Sequence, residues 1–234
     1  MQYNEDIILK LHCQMFTQKY MNTKKIHELL GSKPIGFYID IGAFDGLKAN
    51  NTKYFEDIGW QGIAVEPHPT SFSKLESNRT CAKENIIITD HDGESEFHWS
   101  DSAPMTSRVD MSGHRNRIHR MSDVIKTTIP CMTVTSLCEK YSVGHVDFLK
   151  IDAEGHDWAV INGIDFSKIS ISFIVFEMWE NHNKKEYNLS IEKLVNAGFT
   201  DITNDYDHEN NQLHNKYYIK NEIKKQYVST NVVH

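Results

Sequence analysis

The chain has no apolar run long enough to cross a bilayer, and Met1-Gln2-Tyr3-Asn4-Glu5-Asp6 lacks the basic-then-apolar order of an export signal. Both absences lead to the expectation of a cytoplasmic protein with no membrane span. Cysteine is sparse: Cys13, Cys81, Cys131 and Cys138 are scattered without a CxxC pair. That spacing excludes a zinc ribbon or a disulfide frame and predicts reduced thiols. Positive charge is also short, because 25 Lys and Arg face 32 Asp and Glu for a net charge of −7. A nucleic-acid backbone demands the opposite balance, so DNA and RNA are poor partners. No repeat or low-complexity tract appears, and no G-x-G-x-x-G turn is present to cradle a dinucleotide pyrophosphate. The sequons at Asn50, Asn78 and Asn188 read as chance matches in an Asn-rich chain.

What remains is an ordinary globular composition, 39% hydrophobic and 24% charged over 234 residues, enough for one well-filled domain. Its most informative stretch is Phe37-Tyr38-Ile39-Asp40-Ile41-Gly42-Ala43-Phe44-Asp45-Gly46. An apolar run that ends in an acid and a glycine turn reads as a buried parallel strand delivering its end to a ligand, with Gly42 letting the backbone come close. Roughly twenty residues on, Gly62-Ile63-Ala64-Val65-Glu66 is a second such run, and an acid there can accept both hydrogen bonds of a ribose diol. Asp45 stands where a phosphate would have to sit, and like charges disfavour that arrangement. Asp40 and Asp45 instead suit a ligand with a cationic end, such as the ammonium and sulfonium of S-adenosyl-L-methionine. A helix-capping Asp is the plainer reading of the same turn.

Apolar periodicity predicts N-terminal helices between Ile7 and Leu30, within a helical segment over residues 1–34. Further helices are expected from Asn51, over Thr70–Asn78, Val134–Tyr141, Trp158–Ile164 and Leu189–Ala197. Strands are expected over Ile86–Thr89, Ser95–Trp99, Val146–Asp152 and Phe173–Glu177. His91–Glu94 reads as a hairpin turn, and Phe199–Tyr206 with Leu213–Ile219 as a terminal antiparallel pair across Asn210-Asn211. The alternation predicts an α/β fold: a mostly parallel sheet, helices on both faces and an antiparallel edge. Residues 101–129 are irregular and carry Arg108, His114, Arg115, Arg117, His119 and Arg120. They read either as a solvated loop or as a lid or substrate loop for a polar or phosphate-bearing acceptor.

Asp40, Glu66, Asp152 and Glu177 fall at strand ends and Asp90 just after another, so the topology should gather them in one crevice. Asp152-Ala153-Glu154-Gly155-His156-Asp157 brings two acids and a histidine to that mouth. His156 or Asp152 could take a proton from an attacking hydroxyl, and His182 is a further candidate base. Glu154 is a catalytic candidate beside them, or simply orients the turn or binds the amino-acid end of the cofactor. Asp157 suits a helix cap. Asp152, Glu177 and His182 could equally hold a magnesium or manganese ion.

The first run, with Asn51-Thr52 and Gly62–Pro67, resembles the opening of FkbM-type S-adenosylmethionine-dependent methyltransferases. Phe148-Leu149-Lys150-Ile151-Asp152-Ala153-Glu154-Gly155-His156-Asp157 resembles that family's second signature, with Asp157 where the family usually has Glu. The resemblance covers roughly Gln2–Glu180. It implies a Rossmann-like class I fold with seven strands, the last antiparallel, and O-methylation, often of sugar or polyketide hydroxyls. It also implies cofactor contacts at Asp40, Gly42, Ala43, Asp45, Asn51, Glu66 and Pro67, with Asp90 near the adenine. A glycan or small-molecule acceptor follows by the same analogy. A nucleic-acid methyltransferase or an inactive cofactor-binding module are the competing readings.

Overall fold

The structure, a computed structural model, describes residues 23–48, 50–109, 122–177, 184–206 and 215–231. A helix over residues 23–29 (α1) leads into β1 (Phe37–Ile41), α2 (Lys53–Asp57), β2 (Gln61–Val65), α3 (Pro69–Asn78) and β3 (Ala82–Glu84). Then come β4 (Ile87–Ile88), β5 (Gly93–Trp99), a 3-10 turn at Pro104–Thr106 and β6 (Ile125–Met132). The chain continues with α4 (Val134–Lys140), β7 (His145–Ile151), α5 (Asp157–Asn162), β8 (Ser170–Glu177) and α6 (Lys184–Asn196). It closes with β9 (Phe199–Asp201), α7 (Thr203–Tyr206), β10 (Asn215–Lys220) and α8 (Asn221–Asn231).

Seven strands form one sheet in the order β3-β2-β1-β7-β8-β10-β9. The pairs from β3 through β8 are parallel, and β10 runs antiparallel to both β8 and β9. This is the α/β Rossmann-like arrangement expected. The antiparallel pair β9–β10 forms the expected edge of the sheet, with β10 inserted between β8 and β9. The central strands are apolar on both sides because helices cover both. Ile39, Ile41, Leu149 and Ile151 face a core completed by α4, α5 and α6, through Leu137, Val160 and Leu194. Tyr38, Phe148 and Phe173 face the other core, with Ile26, Leu30 and Phe55. Each fully buried Phe stabilises the fold by about 1.5–3 kcal/mol relative to exposure.

The second sheet departs from expectation. β6 lies between β4 and β5, parallel to the first and antiparallel to the second. The turn at His91–Glu94 is therefore not a hairpin. Residues 125–129, expected to be irregular, belong to β6, and a bridge joins His98 to Arg108. Most of Phe199–Tyr206 is not strand either, because α7 begins at Thr203. The turn expected at Asn210-Asn211 and the helices expected before residue 23 lie outside the described residues. No described helix is long and apolar enough to cross a membrane.

Candidate active site

Parallel strands deliver their carboxyl ends to one edge of the sheet, and a cleft opens there. Ile41 and Gly42 lie on its floor, and Glu66 and Pro67 follow β2 along one side. Asp152, Ala153, Glu154 and His156 follow β7 on the other side. The small sheet closes an apolar wall with Ile86, Ile87, Ile88 and Phe97, and Pro104, Met105, Ser107, Arg108 and Val109 hang over it.

Glu66 is buried, and its Oε2 and Oε1 accept the backbone N–H groups of Phe44 and His68, each at 2.8 Å. A carboxylate has about four acceptor sites, so about two remain for a diol. Burial outweighs those bonds and the nearby Lys150, lifting the Glu66 pKa to about 7. Ser107 Oγ, in the cleft wall, is buried without a hydrogen-bond partner among the described residues. An anchored acceptor, an apolar slot and an unused hydroxyl fit the ribose and base of a nucleoside.

Opposite lies a cluster of acids. Glu154 sits at φ +53 in the left-handed region, and Arg108 Nη2 donates to its carbonyl. Burial and the neighbouring Asp152 and Glu177 push the Glu154 carboxyl well above the carboxylate range, with Arg108 opposing them. Asp157 is fully buried, and the same causes raise it to about 8. Its oxygens accept the N–H of Glu177 at 3.1 Å and that of Gly155 at 3.3 Å, stitching the end of β8 to the start of α5. Nε2 of His156 lies 2.9 Å from Thr89 Oγ1, which fastens this loop to the small sheet.

The Methyltransferase FkbM domain family matches residues 40–218, which contain both strand-end motifs and the whole cleft. The chain belongs to the FkbM methyltransferase family. Hexuronic acid methyltransferase AglP of Haloferax volcanii is 24% identical over 151 residues, covering 62% of this chain and 59% of that protein. The chain thus spans about three-fifths of the relative's length. Among solved structures, the METTL16 MTase domain aligns with a TM-score of 0.42 at 10% identity, covering 84% of this chain and 65% of that one.

Within this FkbM domain the expected site residues divide. Gly42, Glu66, Pro67, Asp152, Glu154 and His156 line the cleft. Asp40 does not; it lies one residue inside β1, fully buried beneath the turn. Burial opposes its charge, but Lys150, Arg79, Thr52 and Asn50 outweigh burial and hold its pKa below the usual range. Asp45 turns inward to accept the N–H groups of Leu47 and Lys48 at 3.0 and 2.8 Å, so it shapes the turn. Ala43 is buried against Ala64 and Leu75, and Asn51 Oδ1 is buried without a hydrogen-bond partner among the described residues. Asp90 is exposed beside His91 after β4, on the other sheet. Asn50 and Asn78 each donate from the side-chain amide, to Asp40 and to the Asp45 carbonyl.

Glu177 ends β8 level with Asp152, because Ile151 pairs with Phe176, but it does not line the cleft. Among the described residues no group of three or more His, Cys, Asp and Glu side chains could hold a metal ion. The expected magnesium or manganese centre at Asp152, Glu177 and His182 therefore finds no support, and His182 lies outside the described residues. His114, Arg115, Arg117, His119 and Arg120 also lie outside them.

Two cations that sequence reasoning passed over organise this edge. Arg79, at the end of α3, is buried and donates to Glu56, Tyr38, Thr52, Asn50 and the Gly46 carbonyl. Lys150 lies 3.2 Å from Asp40 Oδ1 and 3.4 Å from Asp152 Oδ2. A lysine inside an apolar strand run is the one signal that could have revealed the second. Nothing local marks Arg79.

Proposed function

We propose that this FkbM methyltransferase uses S-adenosyl-L-methionine and transfers its methyl group to a hydroxyl of a sugar, free or in a glycan. The observation that carries the donor assignment is Glu66, buried at the end of β2 with two backbone donors and acceptor capacity to spare. When bound, the donor would supply an electrophilic methyl on a cationic sulfur. Glu66 would hold the ribose diol and the Ile86–Ile88 wall the adenine, leaving the donor's charged end toward Gly42 and Asp152. Glu154, which lines the cleft beside Asp152 in a left-handed conformation, would take the acceptor's proton, since burial and the neighbouring acids make its carboxylate more basic than usual. Asp152 would orient the acceptor, and His156 would hold the loop through Thr89. The sugar class is supported by the likeness to a protein named as a hexuronic acid methyltransferase.

The test is calorimetry with S-adenosylhomocysteine and NAD, followed by mass spectrometry of cell glycans and metabolites with and without the active protein. Binding of the sulfur nucleoside alone and a methyl mass increment on a sugar-containing species are expected. NAD binding without any response to the sulfur nucleoside rejects the donor. A methyl increment confined to nucleic acid rejects the acceptor.

A further inference from the structure

Lys150 and Asp40 are cross-strand partners in the β1–β7 register, on the face of the sheet covered by α1, α2 and α3. Lys150 is buried, and burial alone would lower its pKa, yet Asp40 and Asp152 outweigh that and raise it. Its ammonium faces Asp40 Oδ1 at 3.2 Å as an ion pair and Asp152 Oδ2 at 3.4 Å, and it donates to the Gly42 carbonyl at 3.0 Å. A single cation thus touches the acid beneath the first motif, the backbone of the glycine turn and the acid that opens the second motif. The two motifs also meet directly: Asp152 N–H donates to the Ile41 carbonyl at 3.0 Å, and Gly42 packs on the Asp152 carbonyl.

We propose that Lys150 is a positioning residue that sets the height of the Gly42 turn and the orientation of Asp152, joining the donor and acceptor halves of the cleft. The plainer alternative is a counter-ion that only neutralises Asp40. The two differ in what happens when both buried charges are removed together. Asp40 would keep Arg79, Thr52 and Asn50 if Lys150 were lost, but with less compensating charge, so Lys150→Met alone is destabilised. In Lys150→Met/Asp40→Asn the charge under the turn is balanced again, while the contacts to Gly42 and Asp152 stay missing.

The inference rests on the methyl-donor reading, and the experiment separates the two. Melting temperature and S-adenosylhomocysteine affinity are measured for wild type, Lys150→Met and the double variant. For a positioning residue, the double variant regains melting temperature over the single variant but still binds the nucleoside about tenfold or more weakly than wild type. A double variant that regains both, or a single variant that melts lower but binds within twofold of wild type, overturns the proposal in favour of a plain counter-ion. Wild type that does not bind the nucleoside at all sinks the donor reading itself, and the positioning proposal falls with it.

Discussion

Both oxygens of Glu66 accept backbone N–H groups, yet burial lifts its pKa from 4.5 to about 7. Folding buries the carboxyl, so the native state holds the proton more tightly, and the cost of charging Glu66 grows from pH 4.5 to about 7 and is complete above that. A ribose diol donates two hydrogen bonds and favours the ionised form. Nucleoside affinity should therefore weaken about tenfold between pH 8 and pH 6, and the loss should be absent in Glu66→Gln, which binds more weakly throughout. Calorimetry with S-adenosylhomocysteine across that range checks it; a flat wild-type profile would show that Glu66 does not titrate against the ligand. The place of Glu66 at the cleft was legible because it closes an apolar run that reads as a parallel strand. Arg79 was not, because its partners, Glu56 and Gly46 among them, lie far from it in the chain.

The first turn shows how an element can be read correctly for an incomplete reason. Gly42 has φ +75, and a Cβ there would press into the carbonyl oxygen of Asp152. Glycine is thus required by the neighbouring strand end as well as by any ligand. Gly42→Ala should lose about 1–3 kcal/mol to backbone strain alone, more with the clash, and most of its nucleoside affinity. Gly144→Ala, with open space around the new methyl and no positive φ, should melt like wild type. Chemical denaturation of the two variants makes the comparison, and equal midpoints would contradict the packing argument. The small sheet was less legible, because the strand that pairs with both β4 and β5 begins only at Ile125, far along the chain from Trp99.

At the scale of the molecule, the cleft joins the strand ends of the main sheet to an apolar wall from the small one. A ligand spanning both should stabilise the native state by mass action, by about 2.7 kcal/mol at a hundredfold excess over Kd. For a chain of 234 residues that corresponds to a rise in melting temperature of roughly 5–10 °C with S-adenosylhomocysteine. NAD at the same concentration should leave it unchanged. A shift with NAD and none with the sulfur nucleoside would mean that the cleft takes a different ligand.

The sequence by itself determined the alternation of strands and helices, the strand ends that meet at the cleft and the family, since each is written in short-range pattern. Asp40-Ile41-Gly42, Val65-Glu66 and Asp152-Ala153-Glu154 are placed on one sheet edge by their pattern alone. Only the tertiary structure decided what those acids do there. Whether a carboxylate faces a ligand or a buried cation depends on which distant side chain fills the space beside it. Lys150 and Arg79 lie beside Asp40, so its charge is spent inside the fold. Glu66 meets backbone N–H groups with acceptor sites left over, so it keeps the capacity to hold a ligand.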